Sequence, residues 1–448
     1  MSDDLRILAD RVLSQARKAG ADDADVLIGS STSVSVDVRQ GQLEQAERSE
    51  STEIGLRVFL GKRQANVAIS DTSESAISAM AERAVAMAGF APEDPYCGLA
   101  NVDDLSEVRD AQALDLVDKD PDPAPSDLES AAREAEAAAL AVKGISQVQS
   151  ASAGFGGSKL VLAASNGFVG EFERTSSSVS CVAISGEGTS MEREHAGEGR
   201  VYRCDLPTPR EIGALAAERA VSRKGARKPP TGAFPVIYDE RISGGLIGHL
   251  LSAASGASIA RGSSWLLEAL GEQVLPETLS IFENPHRQRI GGSRPFDAEG
   301  LPTAERNIVK DGILQGWTLD LASSRKLGLS PTGNAARSPG SNPSPSVSNI
   351  EITQGSQSKD EMLREMGTGL LVTSMIGTSI NANTGDYSRG ASGYWVVNGE
   401  ISYPVNECTL AGNLRDMLMT ITPANDARSH LSRVIPSLRV EGLTIAGA

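Results

Sequence analysis

Ile54-Gly55-Leu56-Arg57-Val58-Phe59-Leu60, then Gly61-Lys62, then Ala65-Asn66-Val67-Ala68-Ile69: two β-rich runs meet at a glycine turn, which predicts a hairpin. Asp71 followed by Glu74 then opens a helix running to Gly89, with the spacing of a capping box. Upstream, Val34, Val36 and Val38 alternate with polar residues, as a half-buried strand requires, and Gly41 turns the chain. Further upstream, Leu5, Leu8, Val12 and Ala16 recur at helical spacing, and Gly20 suits the position after a helix end. Helix, several strands, helix is the order of an α+β unit with an antiparallel sheet. Gly55 to Lys62 imitates a phosphate loop. Five residues separate its glycines where four are needed, and Arg63 follows the lysine, so that reading is rejected.

Downstream, Asp120-Pro121-Asp122-Pro123-Ala124-Pro125 is stiff and acidic and suits a boundary. Ser126 and Glu129 then form a capping box for an Ala/Glu-rich helix ending at Gly144. Asn166-Gly167, between Leu160–Ala164 and Phe168–Phe172, is a strong hairpin signal. Thr208-Pro209 with Glu211 starts another helix, which stops at Gly225. This region repeats the plan of the previous one, although the residues do not match. The basic run Ser222–Lys228 reads as cations at a helix C-terminus, followed by a linker.

The remainder reads as β-rich with a few short helices. Val236–Tyr238 is a short strand leading into Gly244–Gly256, an apolar helix with His249 in its middle. Asp311-Gly312 and Asn398-Gly399 mark hairpins, and Ser358 with Glu361 caps a short helix. Arg337–Asn349, rich in Pro, Ser, Asn and Gly, is expected to be a mobile loop. The predicted division is residues 1–118, an N-terminal α+β region; 119–228, a central α+β region; and 229–448, a β-rich C-terminal domain. The fold class is α+β.

The chain has 448 residues, ample for a large core, with 40% hydrophobic and 22% charged residues, which excludes wholesale disorder. Its net charge of −16 repels phosphate backbones, so no nucleic-acid partner is expected. Four cysteines lie far apart with no CxxC, the pattern of reduced thiols. No apolar run approaches the ~20 residues of a spanning helix, and Met1–Gly20 has no signal-peptide features. A cytoplasmic protein without a membrane partner is expected.

The sequence carries few signatures of chemistry. There is no GxSxG, HExxH or complete GxGxxG. The four histidines, at 195, 249, 286 and 430, have no metal-type spacing. A lone histidine on an apolar helix is usually buried and hydrogen-bonded. Asp386-Tyr387-Ser388-Arg389 is the densest polar cluster of the C-terminal region. It reads either as a turn with an Asp–Arg pair or as a cleft wall that grips a peptide backbone or carboxylate.

Several strings carry a family likeness. They are Gly367–Thr373, Thr384–Glu400, Tyr403–Glu407 and Ala411–Leu414, with Val236–Tyr238, Gly245–His249, Ile308–Leu314 and Arg325–Leu329 upstream. Together they resemble the TldD/PmbA family over nearly the whole chain. The resemblance implies one of two branches. The TldD branch is a zinc metalloprotease with an HExxxH helix and a further C-terminal cysteine ligand. The PmbA branch, also called TldE, is its partner subunit. Here His249 falls at the first histidine, but Leu250 occupies the general-base position and Ala254 the second histidine. The last cysteine is Cys408, and Ser432–Ala448 contains none. Leu and Ala cannot ligate zinc, and Leu cannot take a proton from bound water.

The resemblance therefore implies the PmbA/TldE branch, with no catalytic residue, metal ligand or cofactor of its own. It implies pairing with a TldD-type metalloprotease subunit and action on extended, unfolded or small peptides. His249, Asp386, Tyr387 and Arg389 are the peptide-cleft candidates. The resemblance also allows a homodimer of the isolated chain. The older family label, modulator of DNA gyrase, reads as indirect, since the charge opposes DNA contact. Two alternatives stay open: a self-sufficient peptidase in which His286 or Asp386 joins His249, and a non-enzymatic peptide-binding scaffold.

Overall fold

The computed structural model describes residues 2–447. The hairpin at 54–69 forms as expected, but within a much larger sheet. β1 (Asp23–Arg39), β2 (Gln42–Leu60), β3 (Arg63–Ile69), β4 (Ile145–Ala164), β5 (Val169–Ser185) and β6 (Glu192–Arg200) make one antiparallel sheet in the order β3-β2-β1-β4-β5-β6. Residues 1–118 and 119–228 are joined in it by β1 and β4, which pair from Asp25↔Ala164 to Val38↔Ala151.

Side chains alternate along a strand, so the even-numbered residues of β1 share one face. Val26 and Ile28 meet α1 (Ser2–Lys18) and α2 (Glu74–Phe90) through Val12, Ile77, Met80 and Ala84. Val36 and Val38, at the other end, meet α3 (Pro125–Leu140) and α4 (Pro209–Ser222) through Ala132, Ala135, Ala216 and Ala220. Alanine at these contacts lets the helices approach closely: a Cβ on Gly213 of α4 would lie 1.9 Å from the Ala135 carbonyl oxygen of α3. Leu27 points to the opposite face and packs with Leu162, Phe168 and Phe296, where the C-terminal region docks.

Two predicted caps form and two shift. Thr208 caps α4 with Glu211 returning the bond. Ser358 caps α8 (Lys359–Met366) with Glu361. At α2, however, Ser73 is the cap, accepting from the Ala76 N–H at 3.3 Å, while Asp71 accepts the Ser73 N–H at 2.8 Å. At α3, Pro125 fixes the first turn and Asp127 accepts the Ala124 N–H at 3.0 Å, leaving Ser126 and Glu129 inside the helix.

The C-terminal region holds α5 (Glu240–Ala253), α6 (Gly256–Ala260), α7 (Leu321–Leu327), α8 and α9 (Leu414–Met419). β7 (Gly232–Tyr238), β14 (Gly369–Ile380), β15 (Asp386–Val397), β16 (Glu400–Asn413) and β19 (Leu438–Ala446) run in the order β16-β15-β14-β7-β19. Pairing of Thr409–Ala411 with Thr444–Ala446 closes them into a ring of five strands. β17 (Thr422–Pro423) extends β19. A second sheet has the order β10-β9-β8-β13-β18, from β8 (Ile281–Glu283), β9 (Arg306–Lys310), β10 (Ile313–Leu314), β13 (Ile350–Ile352) and β18 (Arg433–Val434). Asn398 and Gly399, at φ 54° and 80°, turn the chain between β15 and β16 as expected. Among the described residues no helix is long and apolar enough to cross a membrane.

The expected mobile loop at 337–349 is instead clamped. β11 (Ala335–Ala336) pairs with β12 (Ser344–Pro345). The Arg337 side chain is 2% exposed and meets Asp25 at 2.6 Å. The Pro339 carbonyl lies where a Cβ on Gly55 would be, 1.9 Å away, so glycine is required there by close backbone approach. Loop-like composition did not reveal this because the partners come from the other end of the chain.

Beside this clamp lies Glu299, whose carboxyl is pushed up to about 8, first by burial, with Arg57 pulling the other way. Its ordinary value is 4.5, so the folded chain holds a proton that the unfolded chain releases across that interval. The contribution is fully present below pH 4.5 and is lost as pH rises through about 8. The slope is at most about 1.4 kcal/mol per pH unit. Glu299→Gln is expected to flatten the fall in stability across this window. Urea denaturation at several pH values checks this, and a slope equal to that of the parent would exclude Glu299 as its source.

Candidate functional site

α5 begins at Asp239, whose carboxylate accepts the Arg241 N–H at 3.3 Å and pairs with the Arg241 guanidinium at 2.8 Å. Leu246, Leu250, Leu251, Ala253 and Ala254 enter the core. His249 lies on the flank. Its ring stands edge-on to Tyr387, with centroids 6.0 Å apart. Tyr387 accepts a hydrogen bond from the Tyr238 hydroxyl at 3.4 Å. The Arg389 Nε donates to the Gly377 carbonyl at 2.6 Å. Burial, and then the Arg389 charge, lower the His249 pKa, so the imidazole is neutral at pH 7. Its Nε2 is buried without a hydrogen-bond partner.

The period of two along β15 decides which candidates meet. Tyr387 and Arg389 share the face toward α5, whereas Asp386 turns away and is exposed. Thr384 donates to Asp386 at 2.6 Å and Asn413 at 3.2 Å, which holds its carboxyl below the usual range. His286 is also elsewhere, 3.0 Å from the Thr303 hydroxyl. The structure thus brings together His249, Tyr387 and Arg389, and leaves out Asp386 and His286.

The zinc that an HExxxH helix would hold does not fit these residues. Leu250 and Ala254 are fully buried among apolar side chains. A Cβ on Gly248 would sit 3.3 Å from Arg433 Nη1, and one on Gly245 3.9 Å from Arg389 Nη1, so guanidinium groups rather than carboxylates crowd this flank. Cys408 is buried, donates to the Ala391 carbonyl at 3.2 Å, and is pushed up to about 11 by burial. Among the described residues no group of three or more His, Cys, Asp or Glu could hold a metal ion.

What does form is a cationic cleft. A cavity of about 540 Å³ opens between β6 and the five-stranded ring. Arg193 and His195 of β6, Arg223 after α4, Arg241, Thr373 and Arg389 line it, with Glu194 as its carboxylate. Thr373 is the extra residue of a bulge in β14, because Val372 pairs with Gly393 and Ser374 with Ser392. Its hydroxyl is buried without a partner. β6 is the edge strand of its sheet. The sequence pointed to Arg389 alone here. Arg223 falls within a basic run and Thr373 ends the Gly367–Thr373 string, while Arg193 and Arg241 carry no local signal, since five separate segments bring the lining together.

The comparisons with known proteins agree over the full length. The models of the PmbA/TldA metallopeptidase match residues 24–88 as domain 1, 118–224 as the central domain and 231–447 as the C-terminal domain. The chain is 39% identical over 431 residues to the metalloprotease PmbA of Escherichia coli O157:H7, covering 94% of this chain and 93% of that one. It is 36% identical over 447 residues to the PmbA homolog of Haemophilus influenzae, covering 99% and 96%. To the TldD homolog of that same organism it is 26% identical over 255 residues, covering 52% of each. A crystal structure from Bacteroides thetaiotaomicron, described as a candidate modulator of DNA gyrase, superposes with a TM-score of 0.91 at 26% identity, covering 100% of this chain and 99% of that one. With three family domains in order and a far fuller match to PmbA than to TldD, the chain belongs to the PmbA/TldD metallopeptidase family and to its PmbA branch.

Proposed function

We propose that this chain is the metal-free subunit of a two-chain peptidase, pairing with a TldD-type zinc metalloprotease and presenting extended peptides to it. The observation that carries the reading is the donor set around His249: one neutral imidazole, two tyrosines and arginines, with leucine and alanine where a base and a second ligand would stand. Such a set supplies no second ligand for a metal that would activate water, and of its members Arg389 lines the cleft where a peptide would lie. The free edge of β6 beside the cationic cleft supports strand addition, in which backbone bonds give affinity with little demand on sequence. Arg389 and its neighbours would meet the peptide's carboxylates.

The experiment is reconstitution. The purified chain, the TldD-type subunit and their mixture are compared for cleavage of an unfolded peptide and for zinc content. Cleavage that appears or rises sharply on mixing, with zinc confined to the other subunit, is expected. Arg389→Ala in the mixture should raise KM by about tenfold, the loss of one charge-assisted contact, while leaving zinc content unchanged. About one zinc per chain in the single protein, together with chelator-sensitive cleavage, would overturn the reading.

A further inference from the structure

A second cavity, of about 300 Å³, opens where the outer face of the first sheet meets the C-terminal region. Its walls differ in kind. Leu27, Leu160, Leu162, Phe172 and Phe296 make one side apolar. Arg174, Arg294 and Arg337 make the other side cationic. The Arg174 guanidinium lies 5.0 Å from the Phe172 ring centroid and donates to the Gly291 carbonyl at 2.5 Å. Arg294 spends its two terminal nitrogens on the carbonyls of Ala335 and Ser346, at 3.3 and 2.6 Å. Arg337 meets Asp25, a carboxylate that Arg57 also claims. That leaves Arg294 Nε and Arg337 Nε and Nη2 shut off from solvent with no partner.

These three atoms lie too deep for a ligand in the cavity to touch, but the charges of Arg174, Arg294 and Arg337 gather beside an apolar wall, which is unfavourable without an anion near them. The carboxylate already in the cavity does not supply that anion. Asp297 accepts the backbone N–H groups of Glu299, Leu301 and Ala335, at 2.9, 3.0 and 3.0 Å. Burial also favours its protonated form.

We propose that this cavity binds the carboxylate of a small ligand whose body is apolar: a free apolar amino-acid derivative or the C-terminal residue of a short peptide. The planar Arg174 guanidinium matches a carboxylate's two oxygens, Arg294 and Arg337 add positive charge, and the leucine and phenylalanine wall covers the body. A bare phosphate would satisfy the donors and leave that wall uncovered. The site is separate from the Arg389 cleft and does not depend on the pairing proposed above.

Isothermal titration calorimetry on the intact single chain tests this with N-acetyl-leucine, its primary amide, the tripeptide Ala-Ala-Leu and inorganic phosphate. The acid is expected to bind at least about tenfold more tightly than the amide, or about 1.4 kcal/mol, and more tightly than phosphate. The tighter of N-acetyl-leucine and the tripeptide identifies the source of the carboxylate. Arg174→Met, which leaves the Asp25 clamp intact, should weaken binding by about tenfold. Arg294→Met should do the same, with a thermal melt to confirm folding. No binding, equal binding of acid and amide, phosphate binding as tight as the acid, or an unaltered affinity in Arg174→Met would each overturn the proposal.

Discussion

Asp25→Ala is expected to lower the free energy of unfolding by about 3–5 kcal/mol, the range found when one partner of a buried ion pair is removed. Asp25 and Arg57 face each other across β1 and β2, and Arg337 reaches the same carboxylate from the C-terminal region. Their side chains are 2%, 5% and 2% exposed. Removing the carboxylate strands the Arg337 guanidinium where water cannot reach it, leaves Arg57 with Glu299 at 3.9 Å, and frees the loop that carries Arg337. Burial alone would raise the Asp25 pKa, but the charges of Arg337 and Arg57 outweigh it and hold the carboxyl below its ordinary 3.8. Its contribution is therefore present above that value and fades only as pH falls through the lower, folded-state pKa. The deficit of Asp25→Ala is read at one fixed pH, since Glu299 beside Arg57 titrates across neutral pH. Guanidinium denaturation measures it, and a loss under about 1 kcal/mol, the scale of a surface pair, would mean the network is solvated after all.

Leu250→Glu is the second large effect. It restores the acidic residue of an HExxxH helix, yet it is expected to destabilise the chain by several kcal/mol rather than create a metal site. Leu250 is fully buried among the side chains of the ring and α5. A carboxylate placed there loses its hydration and gains no cation. The double change Leu250→Glu with Ala254→His should bind zinc no more tightly than the parent, because position 254 faces the same core. Melting curves and zinc titration check both statements. A stable double variant holding about one zinc per chain would falsify the account of the helix given above.

The caps show how far local signals reach. Thr208 with Glu211 and Ser358 with Glu361 form as the sequence implies, since cap and acid are neighbours on one turn. The caps at Asp71 and Ser126 moved by two residues, to Ser73 and Ala124, because Ser73 is better placed for the Ala76 N–H and Pro125 fixes the first turn of α3. Gln42–Thr52 has no apolar alternation, yet it extends β2 as an exposed strand, because β1 supplies its backbone partners. Propensity along the chain could not reveal a partner that only the folded sheet provides.

By itself the sequence determined the α+β class, the hairpins at glycine turns, and the leucine and alanine at positions 250 and 254 beside His249, since each follows from residue types at fixed spacing. Only the tertiary structure decided that the two N-terminal regions share one sheet, that Asp386 turns away from Tyr387 and Arg389, and that the 337–349 loop is clamped. It also decided that arginines from distant segments gather in two cavities. These depend on strand register and on contacts between residues far apart in the chain, and no local pattern of hydrophobicity or charge encodes either one.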